Sequence, residues 1–178
     1  MQVDAWMFGE PGLDRGMGVG AVVHRAAPRI APQALPGHAI DDCTRLRVLR
    51  IYPQLNQKTA IQFVDYVLER LPFRVEVIQT DNEAEFQARF HWHVLDKGIG
   101  HHSIKPHTPR LNGKVERSHR IDAEEFYQLL DGVVIDDTEI FNDKLREWEN
   151  FYNYHRPHGS LDGQTPYERL KQRTQTPV

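Results

Sequence analysis

The succession of apolar patterns predicts an α/β fold, with a mixed sheet flanked by helices and a helical C-terminal extension. Two observations carry this reading. Short alternating segments rich in Val and Ile are interleaved with stretches whose apolar residues recur at 3.6-residue spacing, and the last quarter of the chain shows the helical period alone. Residues 1–37 stand apart, with four Pro, six Gly and no clear strand after Val3, and read as a loop-rich N-terminal segment. Residues 39–42 and 45–52 read as a strand pair or one long bent strand, with Leu46, Val48 or Leu49, and Ile51 on the apolar side. Residues 57–71 form an amphipathic helix with Ala60, Ile61, Val64, Leu68 and Leu71 along one stripe and Phe63 and Val67 beside it. A buried strand is expected over 73–78, a helix over 84–97 stopped by Gly98, and a short strand over 99–105. A helix then opens after Pro109 and the turn pair Asn112-Gly113 and runs through Val115, Ile121, Glu125, Phe126 and Leu129. Residues 138–154 carry Phe141, Leu145, Trp148 and Tyr152 on one stripe, and residues 166–172 close the chain as a short helix.

At 178 residues the chain fits one domain, with 1–37 as a divergent leading segment, 38–135 as the core and 136–178 as its helical C-terminal part. Its net charge of -3 argues against a general polyanion binder, yet the charge is unevenly placed. Residues 101–120 hold Lys105, Arg110, Lys114, Arg117 and Arg120 against the single acid Glu116, whereas residues 121–150 hold ten acids against Lys144 and Arg146. Cys43 is the only cysteine, so no intrachain disulfide forms. No apolar run approaches the roughly 20 residues of a membrane helix, and no signal-peptide pattern opens the chain. The expected setting is cytoplasmic, with no membrane partner and no small-molecule cofactor.

Asp81 lies just past the expected 73–78 strand, and Glu116 lies early on the helix that follows the basic segment, with 34 residues between them. A strand end and a helix can share a divalent metal in this way. Phosphoryl transfer, one reaction such a metal serves, gathers negative charge on the attacking and leaving oxygens, and two Mg2+ ions roughly 3.5 to 4 Å apart stabilise both. Mg2+ prefers a few carboxylates together with water and phosphate oxygens. Without metal, acids held that close repel and raise one another's pKa.

Three stretches in order carry a family resemblance: Asp81-Asn82 after an apolar strand; Lys105-Pro106-His107-Thr108-Pro109 through Asn112-Gly113 to Glu116-Arg117; and Tyr152-Asn153-Tyr154-His155-Arg156-Pro157-His158 through Thr165-Pro166-Tyr167-Glu168. Over roughly residues 38–172 the chain resembles the catalytic core of the DDE transposases of bacterial insertion sequences, relatives of retroviral integrases. The resemblance implies a ribonuclease H-like fold, DNA cleavage and 3' hydroxyl strand transfer, Mg2+ or Mn2+ as cofactor, DNA as partner, a homo-oligomer when active, and action at the nucleoid. It places Asp81 and Glu116 at the metal and Lys105, Arg110, Asn112, Lys114 and Arg117 on DNA, where cations neutralise phosphates without much sequence readout. The first family acid falls on Asp4 of Gln2-Val3-Asp4, on a first strand expected beside the one leading to Asp81.

Two departures from the pattern keep a second reading open. Asp4 lies 37 residues before Asp41 across a Pro/Gly-rich stretch, so residues 5–37 read as replaced sequence, and Glu83 stands where the family has Gly. The alternatives are a working transposase or integrase core, and a non-catalytic remnant that folds and binds DNA or a full-length partner. Asp41 and Asp42 are read as structural. Gly16-Met17-Gly18-Val19-Gly20 falls one residue short of a dinucleotide-binding turn and has no strand before it. The ten histidines, among them His91, His93, His101 and His102, lack the ligand spacing of a zinc site; His93 is read as a partly buried core residue and His101 and His102 as phosphate contacts.

Overall fold

The computed structural model describes residues 2–7, 35–54, 56–80, 86, 88–103, 121–126 and 137–175. Strands β1 (Gln2–Met7), β2 (Leu35–Asp41) and β3 (Arg47–Tyr52) form an antiparallel meander. Strands β4 (Val77–Thr80) and β5 (Gly100–Ser103) extend the sheet in parallel on the other side of β1, giving the order β3-β2-β1-β4-β5. Helix α1 (Gln57–Arg70) connects β3 to β4, and α2 (Arg89–Asp96) connects β4 to β5. A π-helical turn at Asp122–Phe126 precedes the long helix α3 (Thr138–Tyr154), and α4 (Pro166–Gln175) follows a single 3-10 turn at Gly159–Leu161.

At its described residues, 2–7 and 35–37, the N-terminal segment is strand rather than loop. Gln2–Met7 is the middle strand of the sheet, and Ala5, Trp6 and Met7, read as replaced sequence, pair with Ala39, His38 and Gly37. Pairing with β2 on one side and β4 on the other defines this strand, and such non-local pairing leaves little trace in local propensity. β2 likewise begins at Leu35 and passes through Pro36 and Gly37, two residues that read as breakers. Gly37 has a packing reason: a Cβ there would lie 2.9 Å from the ring of Phe63, itself buried on α1.

Three further boundaries move. The strand expected over 73–78 is Val77–Thr80, because parallel pairing is available only where β1 and β5 flank it. Val75 still enters the core ahead of that strand, and Phe73 packs partly against it. No single helix runs over 84–97, since Ala88 at φ 42 interrupts the α-helical backbone and α2 starts after it. Gly98 ends α2 as expected, at φ 72, with the Ile99 amide reaching back to the Val94 carbonyl at 3.2 Å and the Gly98 amide to Leu95 at 2.8 Å.

Two cores form. Ala60, Phe63, Val64 and Val67 of α1 meet Phe90 and Val94 of α2 over Ala39, Val48 and Ile78 of the sheet. Ile61 and Leu68 flank this line rather than lead it, so the buried stripe lies one position round from the expected one. The second core joins Leu49 and Ile51 of β3 to Phe126, Phe141, Leu145 and Trp148.

That second core is framed by polar contacts. As a sheet edge, β3 turns the N–H and C=O groups of alternate residues away from β2, and these need partners if they are buried. Helix α3 supplies them with side chains. The Asn142 amide accepts from the Ile51 N–H at 2.8 Å and donates to the Ile51 carbonyl at 3.1 Å. Asn153 does the same for Arg47, at 3.0 and 2.8 Å, and between them the Glu149 carboxylate accepts from the Leu49 N–H at 2.6 Å. Each Asn side chain thus reproduces one peptide group of a neighbouring strand. Covering an edge in this way also blocks edge-to-edge association.

Two stability predictions follow from this packing. Gly37→Ala should lower the unfolding free energy by about 1 to 3 kcal/mol, because the rigid Phe63 ring must shift, as read from the urea midpoint. Asn153→Ala should cost a similar amount, about 1 to 3 kcal/mol for stranded buried peptide groups at Arg47, whereas substitution of the exposed Asn150 should leave the midpoint in place.

Candidate metal centre and the polar frame around it

The parallel pair β1 and β4 at the middle of the sheet positions the candidate centre. Asp4 on β1 stands in register with Gln79 on β4, and Thr80 ends β4 immediately before Asp81 in the chain. The strand carrying Asp4 therefore lies beside the strand that leads to Asp81. Asp81, Glu116, Lys105, Arg110, Asn112, Lys114, Arg117 and Glu83, with Gly16 to Gly20, lie outside the described residues. Among the described residues no three His, Cys, Asp or Glu side chains gather as metal ligands.

Thr80 is fully buried, and its hydroxyl lies 2.9 Å from Nε2 of His101 on β5. The other ring nitrogen of His101, Nδ1, lies 2.9 Å from Nδ1 of His91 on α2. A hydrogen bond between two Nδ1 atoms needs one protonated and one bare nitrogen, so the pair carries a single proton between those atoms. Burial, followed by the repulsion of His91 and His102, pushes His101 down to about 4, which keeps it neutral near pH 7. His101 therefore makes structural contacts to Thr80 and His91, a correction to its reading as a phosphate contact. His93 meets its expectation: it is partly buried and lies 2.8 Å from Asp65, which Lys97 also reaches at 2.9 Å.

Asp41 and Asp42 are held within the turn between β2 and β3. The buried Asp41 carboxylate accepts from the Thr44 amide at 2.7 Å and the Thr44 hydroxyl at 2.6 Å, and Asp42 pairs with Arg45 at 3.1 Å. Such partners fit the structural role read from the sequence.

The segment downstream of Glu116 is tied to the sheet by acids that the sequence reading did not single out as a site. The Asp122 carboxylate accepts from Arg47 Nη1 at 2.7 Å and from the Trp148 indole N–H at 2.7 Å. The Arg47 guanidinium, with no side-chain exposure, lies 3.4 Å from the ring centroid of Tyr152 and 5.2 Å from that of Trp148. Burial pushes the Asp122 carboxyl up while Arg47 pulls it down, and burial likewise draws the guanidinium below its usual range. Arg47 remains the cation of the pair, since guanidinium does not deprotonate in proteins. One turn further on, Glu125 takes a two-pronged contact from Arg156, Nε to Oε2 at 2.8 Å and Nη2 to Oε1, which holds its carboxyl below the usual range. Glu149 meets Arg70 at 2.7 Å through its second oxygen.

These contacts give the tail sequence a structural meaning. In Tyr152-Asn153-Tyr154-His155-Arg156-Pro157-His158, Tyr152 receives Arg47, Asn153 seals β3, Arg156 clamps Glu125, and buried His158 meets the Tyr152 ring edge-on at 4.4 Å. Thr165 and Glu168 exchange bonds at the start of α4, with the Thr165 amide to Glu168 at 2.8 Å and the Glu168 amide to the Thr165 hydroxyl at 3.2 Å, a capping box.

Residues 97–166 match the integrase core domain family. Over that stretch the chain is similar to integrase cores. Its sequence is 30% identical over 148 residues to the integrase ORF3 of Spiroplasma virus SpV1-C74, covering 74% of this chain and 40% of that protein. It is 34% identical over 93 residues to a retrovirus-related Pol polyprotein from the Arabidopsis thaliana transposon RE1, covering 51% of this chain and 6% of that one. The chain thus spans two fifths or less of these relatives' lengths. Among solved structures, a chain of the simian T-cell lymphotropic virus intasome in complex with PP2A regulatory subunit B56 gamma superposes with TM-score 0.76 at 13% identity, over 99% of this chain and 56% of that chain. The catalytic core domain of BIV integrase superposes with TM-score 0.63 at 21% identity, over 79% and 88%. The fold is the ribonuclease H-like α/β fold expected from the sequence.

The buried histidines set a pH dependence for this core. His101 and His158 are both pushed down to about 4, each first by burial, so the unfolded chain takes up protons at these sites below about pH 6.5 while the folded one does not. Their contribution is fully present above pH 6.5 and is lost as pH falls toward 4. Glu149 and Asp122, pushed up by burial, act in the opposite sense. Replacing His158 with Gln isolates one histidine: the fall in Tm between pH 6.5 and 4 should be shallower in the variant than in the parent chain.

Proposed function

We propose that the chain is a DNA strand-transfer core of the transposase and integrase type, in which Asp4, Asp81 and Glu116 hold Mg2+ or Mn2+. The observation that carries this reading is the central parallel pair, with Asp4 on β1 beside the strand that leads into Asp81, inside a fold shared with solved integrase structures. Carboxylate oxygens suit a hard cation that retains water and phosphate oxygens. Either metal, when bound, stabilises the charge that develops on the attacking and leaving oxygens of the phosphodiester.

The chain's own residues then have distinct tasks. Lys105, Arg110, Lys114 and Arg117 neutralise phosphates of the DNA strand, and Asn112 hydrogen-bonds to its backbone. Asp122 and Glu125, through Arg47 and Arg156, anchor the segment that follows Glu116 against β3 and the end of α3. His101 and His91, through Thr80, brace the strand end before Asp81. Water or a 3' hydroxyl is the nucleophile, and DNA from a mobile element's ends is the substrate, with a bacterial insertion sequence the source we favour.

A remnant that folds without chemistry is the second reading, favoured by Glu83 next to Asn82. Calorimetric titration with Mn2+ separates the two. The working core should bind Mn2+ and lose that binding in Asp81→Asn and in Asp4→Asn, and the parent chain should nick and join element-end DNA only with metal. A folded chain that takes up no Mn2+, or takes it up equally in both variants, contradicts the proposal.

A further inference from the structure

Helix α2 and strand β5 bring together two histidines that lie 10 residues apart in the chain. The Nδ1 atoms of His91 and His101 face each other at 2.9 Å, with ring centroids 5.1 Å apart and ring planes tilted by 46°. Phe90, fully buried, meets the His101 ring edge-on at 5.2 Å and fixes its plane. Both histidines are only partly buried, so water and small ions reach them. His102 lies on the opposite face of β5 and is exposed, and His93 is engaged by Asp65. Among the described residues the arrangement is therefore one of two ligands.

Two facing Nδ1 atoms hold one proton between them, and a metal ion can stand where that proton does. The proton then shifts to the Nε2 of its own ring, which leaves both imidazoles neutral with both Nδ1 lone pairs free. On His101 the Nε2 atom already has its partner, the Thr80 hydroxyl at 2.9 Å. An oxygen partner on the far nitrogen is what fixes the tautomer and ring orientation of metal-bound histidines. Burial, followed by the repulsion of His91 and His102, holds His101 at about 4, so its imidazole is a neutral ligand near pH 7. Tetrahedral Zn2+ with Zn–N of about 2.0 to 2.1 Å sets two nitrogens about 3.3 Å apart, so the rings need part only slightly. Imidazole nitrogens suit Zn2+, Cu2+ or Ni2+, whereas Mg2+ takes oxygen ligands.

We propose that His91 and His101 form a two-histidine site for a borderline transition metal, with Zn2+ the expected occupant, bound through both Nδ1 atoms between α2 and β5. Water completes the coordination. The ion ties the helix to the strand beside Thr80, and it uses none of the carboxylates assigned to Mg2+, so the site stands or falls apart from the strand-transfer reading.

Calorimetric titration with Zn2+ in excess Mg2+ tests the site on the parent chain, His91→Gln, His101→Gln, His102→Gln and Asp81→Asn, with circular dichroism reporting the fold of each. The parent should take up Zn2+ and gain Tm with it, as any ligand of the folded state alone requires. His91→Gln and His101→Gln should each weaken uptake by about tenfold or more, since even the loss of a ligand's supporting partner costs that much. His102→Gln and Asp81→Asn should bind as the parent does. If His101→Gln fails to fold, His91→Gln, on the helix, decides alone. A folded parent that takes up no Zn2+, uptake unchanged in His91→Gln, or uptake lost in Asp81→Asn overturns the proposal.

Discussion

An edge strand presents alternate peptide groups that must be paired, hydrated or lost to the core, and on β3 helix α3 meets this demand with side chains. Asn142, Glu149 and Asn153 align with Ile51, Leu49 and Arg47, so the helix runs antiparallel to the strand and its position is fixed by three contact points. Once α3 is set, Trp148 and Tyr152 are set with it, and these create the slot for the Arg47 guanidinium and the Asp122 carboxylate. The turn that follows Glu116 in the chain is thereby fastened to the sheet that carries Asp4 and leads to Asp81. Buried ion pairs seldom add much net stability, but removing one partner is costly because it strands the other. Such a pair fixes arrangement more than it strengthens the fold.

The relation to integrases can be divided by what each motif does. The string from Lys105 to Arg117 and the Asp81-Asn82 pair are where the proposed chemistry would sit. The tail from Tyr152 to Glu168 is structural: it seals a strand, clamps Glu125 and caps α4. A chain can therefore keep the family's tail for reasons of folding alone. This separation is why the tail supports the fold more strongly than the activity, and why metal binding carries the functional question.

Much of the architecture was legible in the sequence where the pattern was local. Helix α3 falls on the residues its stripe marked, and α1 ends within one residue of expectation, because each pairs a clear apolar face with a capping residue, Asp137 or Asn56. The elements that were misjudged depend on partners distant in sequence. β1 is defined by β2 and β4, the start of β2 by the close approach of Phe63 to Gly37, and the shift of β4 by the short reach of its neighbours. The acids Asp81 and Glu116 stood out through their neighbouring words. Arg47, Asp122 and Glu149 did not, since a buried charge in a strand or on a helix's inner face looks like a surface residue until the fold brings its partner to it. A faint signal existed: Asn142, Glu149 and Asn153 sit beside Phe141, Trp148 and Tyr152, on the helix face that the apolar stripe had marked as buried.

Amide hydrogen exchange tests most directly whether α3 side chains replace a missing strand. In β3, Val48, Arg50 and Tyr52 face β2, whereas Arg47, Leu49 and Ile51 face α3, so ordinary edge behaviour and a sealed edge give different patterns. The account predicts that the amides of Arg47, Leu49 and Ile51 exchange as slowly as those of Val48, Arg50 and Tyr52, at the rate set by opening of the whole core. Rapid exchange at Arg47, Leu49 and Ile51, with protection kept only on the β2 side, would contradict it.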